Sequence, residues 1–239
     1  MNATTYNTIT ATLAIGVLVA LVVMIVSFIA MIFRWKTSKR RGHVIRLLVA
    51  IATIPCLIGI QQAILWMVFL PALGRQQMAA INAARADNLT KTSVVQVGDP
   101  APQFSVKTAD GDEFSMSDAA GDVVLINFFA PWCGPCRMEL PHIENIWAAR
   151  KNDRHFRLLV IGREETTESV REYRVKNGFS FPIAADPDRA VYSLFAHESI
   201  PRTLVVSRGG LVVYSKAGFY EADLDELNAV LDAQSADLP

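Results

Sequence analysis

Charge is missing from two long stretches of this chain. Residues 1–33 contain no Lys, Arg, Asp or Glu, and neither do residues 47–74. Net charge is missing too, with 23 basic and 23 acidic residues in balance. No basic excess therefore points to nucleic acid. Cysteine is scarce: Cys56, Cys133 and Cys136 are the three present. An odd count does not read as a framework of structural disulfides. Internal repeats and low-complexity tracts are also absent.

What remains splits the chain into a membrane part and a soluble part. Residues 9–33 and 47–73 are apolar almost throughout. At 1.5 Å per residue, about 20 residues cross a hydrocarbon core of ~30 Å. Both runs are long enough to be transmembrane helices. A cleaved signal peptide would need a basic start and a shorter apolar core, and the first 33 residues hold no Lys or Arg. In the second run, Pro55 is tolerated where neighbouring helices satisfy the freed carbonyl. Gln61 and Gln62 suit helix–helix hydrogen bonding, and Trp66 and Arg75 an interfacial end. Between the runs, loop 34–46 carries Arg34, Lys36, Lys39, Arg40, Arg41 and Arg46 and no acid. That bias predicts a cytoplasmic loop; a nucleic-acid or phospholipid patch is the competing reading. The N-terminus and everything after residue 74 are then periplasmic or otherwise extracytoplasmic.

The domain reading follows. Residues 1–74 form a two-pass anchor in the lipid bilayer, 75–97 a linker, and 98–239 a soluble domain. Residues 75–87 continue the second helix briefly, while the polar stretch 88–102, with Pro100 and Pro102, reads as connection. Short strands at Phe104–Val106 and Glu113–Met116 flank Asp110-Gly111, a hairpin signal. Val123–Phe129 is a near-continuous apolar run, as a central buried strand requires. A helix is expected from Cys133 to about Lys151, then a strand at Arg157–Ile161 and a helix at Ser169–Lys176. A strand near Phe181–Ala184 and a short helix near Ala190–Ala196 follow. Strands at Thr203–Ser207 and Leu211–Ser215 surround Arg208-Gly209-Gly210, and a helix over Asp223–Ala233 ends the chain. The pattern implies an α/β fold, a mixed central sheet with helices on both faces.

The chemistry centres on Trp132-Cys133-Gly134-Pro135-Cys136. A bridge between cysteines three residues apart constrains little chain, so redox or metal chemistry is the better reason for the pair. The attacking species in disulfide exchange is a thiolate. Cys133 follows a strand and opens a helix, where free N–H groups and the helix dipole favour negative charge. Cys136, at i+3, shares its face and can attack a mixed disulfide formed by Cys133. Gly134 allows a tight turn into the helix, and Pro135 sits where no intrahelical N–H bond is lost. A zinc site would need two further ligands, and His142, His155 and His197 match no zinc spacing. A one-cysteine peroxidase would carry Thr three residues before its cysteine, where Ala130 stands.

Phe128–Cys136 resembles the active site of the thioredoxin superfamily. With Arg137-Met138-Glu139-Leu140-Pro141 it matches W-C-x-P-C-x-x-E-x-P, the pattern of TlpA/ResA-like thiol–disulfide oxidoreductases. Gly98–Phe104 resembles their usual opening, G-x-x-A-P-x-F. The resemblance covers about 98–235 and implies a thioredoxin fold with an N-terminal hairpin extension. It implies that Cys133 is the exposed nucleophile and Cys136 the buried resolving thiol, the two forming a redox disulfide. Glu139 is then a proton-transfer group, against the alternative of a solvated helix acid, and Pro141 kinks the helix. Trp132, Gly134, Pro135, Ile200 and Pro201 would support the site, with Ile200-Pro201 as the cis-proline loop that meets the client. Thioredoxin's buried Asp is replaced by Asn127, which shifts weight to Glu139. Arg202, after the proline, stands where many relatives hold a small polar residue; it either steers an acidic substrate or is merely exposed.

No cofactor or metal is implied. Gly-Pro between the cysteines resembles thioredoxin, not the strongly oxidising relatives, so the expected activity is reduction of client-protein disulfides, for example in cytochrome c maturation. Cys56 has no partner thiol in the anchor, so a separate membrane electron donor is implied. A disulfide oxidase or isomerase, and a non-enzymatic metallochaperone or assembly factor, are the alternatives.

Overall fold

The computed structural model describes Ile25, Gly59, Gln62, Ala63, Trp66, Met67 and residues 70–236. The expected spans 9–33 and 47–73, loop 34–46 and Cys56 lie outside the described residues, apart from those named. Among the described residues, no helix is long and apolar enough to cross a membrane. The chain divides into two units, residues 1–80 and 81–239, and the second holds the cysteine pair.

Helix α1 runs over Leu70–Thr92. It takes in 88–92, which composition reads as connection. The polar side chains there satisfy one another along the helix: Lys91 pairs with Asp87 at 2.7 Å, and the Thr90 hydroxyl donates to the Ala86 carbonyl at 2.9 Å. The hairpin is present as β1 (Ser105–Lys107) and β2 (Glu113–Ser115), antiparallel. The main sheet contains β3 (Val123–Phe129), β4 (Phe156–Arg163), β5 (Ile183–Asp186), β6 (Arg202–Val206) and β7 (Val212–Ala217). Their order is β5-β4-β3-β6-β7. β3 pairs parallel with β4 and antiparallel with β6, so the sheet is mixed. The helices are α2 (Gly134–Arg150), α3 (Thr167–Asn177), the short α4 (Tyr192–Phe195) and α5 (Asp223–Ala236).

Alternation along the strands divides the core in two. Val123, Leu125 and Phe129 of β3 face one layer, with Leu140 and Ile143 of α2, Val170 of α3 and Leu227 and Leu231 of α5. Val124, Ile126 and Phe128 face the other, with Phe114 of β2 and Tyr192 and Phe195 of α4. β3 is buried along its whole length, which is why its sequence is apolar without alternation. Its C-terminal end delivers the chain to the cysteines.

Candidate active site

The turn from β3 into α2 builds the site. Cys133 is the N-cap of α2, with φ −76° and ψ 112°, and its sulfur accepts a hydrogen bond from the Cys136 N–H at 3.2 Å. Cys133 and Cys136 are joined in a disulfide, S–S 2.03 Å. Helix-terminal N–H groups have no partner within the helix, so this sulfur sits where negative charge is favoured. Pro135 lies in the first turn, where it displaces no helical bond.

Three readings of these residues need correction. Cys133 is less exposed than expected, at 5 %, because its sulfur is turned back onto the helix start; Cys136 is fully buried. Gly134 is not required by the turn: its φ is not positive, and a Cβ there would meet nothing within 4 Å. Arg202 is neither exposed nor placed to steer a substrate. It is completely buried, and its guanidinium donates to the Ser93 hydroxyl, the Thr92 hydroxyl and the Glu198 carbonyl at 2.7, 2.7 and 3.1 Å. It ties the end of α1 to the loop that carries Pro201.

Trp132 is 65 % exposed beside the pair, with the Arg163 guanidinium 6.0 Å from its ring centre. The Ile200–Pro201 peptide bond is cis. The Pro201 carbonyl accepts from the Gly218 N–H at 2.8 Å. Ile200 is half-buried and packs against both core layers.

Glu139 is the charged group held deepest beside the cysteines. It lies one helical turn beyond Cys136, on the same buried face as Leu140 and Ile143. Only 5 % of it is exposed, so it is not a solvated helix acid. Its carboxylate accepts from the Thr203 hydroxyl at 2.7 Å and from the Asn127 side-chain amide at 2.8 Å. That amide also donates to the Thr203 hydroxyl oxygen at 2.9 Å. Burial, which disfavours the charged form, pushes the Glu139 carboxyl up to about 7, against the opposing hydrogen bonds from Thr203 and Asn127. Asp223 adds to the rise by like-charge repulsion.

Thr203 is the member of this cluster that the sequence reading missed. A signal was available: Thr203 and Val205 point to the same face of β6, so a hydroxyl stands where a core residue belongs. The register that sets it opposite Asn127 of β3 is long-range and cannot be read locally. A buried dithiol–disulfide pair next to a carboxyl that titrates near neutrality can exchange two electrons and handle the accompanying proton.

Comparison with known proteins agrees with this chemistry. Residues 97–215 match the AhpC/TSA family. The thioredoxin-like protein YneN of Bacillus subtilis is 32% identical over 123 residues, covering 49% of this chain and 69% of that protein. The thiol–disulfide oxidoreductase ResA of Bacillus anthracis is 26% identical over 119 residues, covering 50% of this chain and 68% of ResA. Among solved structures, a protein from Bacteroides thetaiotaomicron assigned as a disulfide isomerase superposes with a TM-score of 0.58 at 30% identity, over 60% of this chain and 92% of that one. A protein from Chlorobium tepidum assigned as the thiol:disulfide interchange protein DsbE does so with a TM-score of 0.52 at 27% identity, over 59% and 98%. With the cysteine pair, the mixed sheet and these relatives together, the chain belongs to the thioredoxin superfamily as a ResA-like thiol–disulfide oxidoreductase.

Proposed function

We propose that this oxidoreductase is a membrane-anchored, extracytoplasmic reductase of client-protein disulfides. The observation that carries the mechanism is the Cys133–Cys136 disulfide at the start of α2, one turn from buried Glu139. In the reduced enzyme, the Cys133 thiolate attacks one sulfur of the client disulfide. A Cys133–client bond forms, the client S–S bond breaks, and the first client thiolate leaves. Glu139 then takes the proton of the Cys136 thiol, and the Cys136 thiolate attacks Cys133. The enzyme disulfide closes, and the second client thiolate departs. Two electrons have passed to the client. A pKa near the working pH suits Glu139 to this exchange.

Trp132, Gly134, Pro135 and Ile200-Pro201 form the client-facing rim in this reading. The exposed Trp132 and the open space over Gly134 suit close approach of a client backbone. The uncharged runs 9–33 and 47–73 and the basic loop between them support the two-pass anchor and the orientation. Re-reduction requires a membrane electron donor. Cytochrome c maturation is the process the ResA resemblance points to.

The test is substitution of each cysteine in an insulin-reduction assay. Cys133→Ser is expected to abolish turnover, and Cys136→Ser to accumulate mixed disulfides with clients. Activity surviving in Cys133→Ser would falsify the mechanism. A midpoint potential at about −120 mV, the strongly oxidising end of such pairs, favours an oxidase instead. Stoichiometric copper or zinc binding lost in Cys133→Ser favours a metallochaperone.

A further inference from the structure

The residues that meet the domain from α1 fall on one helical face. Arg85, Asn88, Leu89 and Thr92 recur at i, i+3, i+4 and i+7. The Ser199 hydroxyl donates to Asn88 Oδ1 at 3.5 Å, Leu89 is half-buried, and the His197 N–H donates to the Thr92 carbonyl at 2.8 Å. Arg85, at the other end of this face, forms an ion pair with Asp223 and lies 3.6 Å over the ring of Tyr220. Tyr220 lies in the connection from β7 into α5, and Asp223 is the first residue of α5.

Asp223 and Glu139 line the same small cavity, about 10 Å³, with Tyr214, Lys216, Phe219 and Leu227. That is room for about one water. The Tyr214 hydroxyl donates to the Asp223 carbonyl at 3.4 Å. Lys216 is already engaged by Glu226 of α5 at 2.8 Å. The groups facing Glu139 are therefore Asn127 from β3, Thr203 from β6, Tyr214 and Lys216 from β7, and Asp223 from α5. The countercharge for Asp223 comes from α1. Arg85 and Asp223 both lie outside residues 97–215, the stretch that matches the family.

We propose that Arg85 is a positioning residue of the thiol–disulfide site, holding Asp223 and the turn into α5 against the Glu139 cavity and offsetting the negative charge there. The proposal rests on Glu139 as the proton-handling group. The charges act in opposite senses: Asp223 raises the Glu139 carboxyl by repulsion. The Tyr214 hydroxyl is raised chiefly by burial and then by Asp223, Glu226 and Glu139, while Arg85 pulls it down. The field of Arg85 thus reaches into the cavity.

The experiment uses the full chain in detergent. Difference infrared spectroscopy follows the protonated carboxyl band of Glu139, identified by its loss in Glu139→Gln, as a function of pH. Arg85→Gln leaves Asp223 uncompensated, so the midpoint of this band should move to higher pH. Asp223→Asn should move it to lower pH. The double variant should follow Asp223→Asn, and Arg85→Lys should restore the wild-type midpoint. A folded Arg85→Gln protein with an unmoved midpoint overturns the proposal. If Arg85→Gln does not fold, Asp223→Asn decides, and an unmoved midpoint there overturns it equally. The band is read without a client. A wild-type protein that reduces no disulfide sinks the reductase reading, whereas an unmoved band sinks this one.

Discussion

Glu139 makes the stability of the domain depend on pH, and the sign follows from its environment. Its carboxyl rises from an ordinary 4.5 to about 7 on folding. Between those values the folded protein holds a proton that the unfolded chain has released. Stability therefore falls as pH rises through this window, by about 1.4 kcal/mol per pH unit and about 3 kcal/mol in all. Glu139→Gln removes the dependence. Denaturant midpoints of both proteins at pH 5 and pH 8 check this: only the wild type should weaken. Equal behaviour of the two would mean that the carboxyl is ionised throughout. At this scale the sequence was legible where the spacing is local: Cys133 caps α2, and Cys136 and Glu139 follow at successive intervals of three residues on that helix. Arg202 was misread because its acceptors Thr92 and Ser93 lie more than a hundred positions away. Buried arginine without a carboxylate partner is also uncommon enough that exposure was the natural expectation.

At the scale of elements, β4 and α3 approach so closely that a glycine is required. A Cβ on Gly162 would stand 2.3 Å from Cγ1 of Val170 and 3.1 Å from Cβ of Glu165. Val170 is fully buried and held by the core layer that contains Phe129 and Leu140, so it has little freedom to retreat. Gly162→Ala should cost about 1–3 kcal/mol by overpacking, seen as a lower denaturant midpoint with an unchanged slope. Adding Val170→Ala should recover part of the loss; an unaltered Gly162→Ala midpoint would show that the two elements separate readily. The elements themselves follow from their sequences. α3 has Thr166 as N-cap, whose hydroxyl accepts from the Ser169 N–H at 3.2 Å, and Gly178 as a left-handed stop, φ 69°. The extension of α1 to Thr92 was not legible, because its last turns are completed by contacts with the loop before Pro201.

For the whole molecule, the proposed topology makes the cysteine pair reachable from outside the cell membrane. In intact cells treated with a mild reductant, a membrane-impermeant maleimide should label Cys133. Labelling that appears only after lysis would place the domain on the cytoplasmic side and reverse the reading of loop 34–46.

The sheet has a further property, visible at its two ends. Along β5, the Ala109 N–H donates to the Ile183 carbonyl at 2.7 Å, and Thr108 bridges Ala184. The hairpin is clamped there by Arg174 on Asp110 and by Arg171 on the Ala109 carbonyl. Along β7, the Gly98 N–H donates to the Val212 carbonyl and the Val212 N–H to the Asp99 carbonyl, at 2.8 and 2.9 Å. Short pieces of the chain thus occupy the ladder positions at both margins. Bare margins let neighbouring copies zip together, so crowding should not drive these domains into fibres. A client that arrives as an extended strand is left with fewer wrong places to settle.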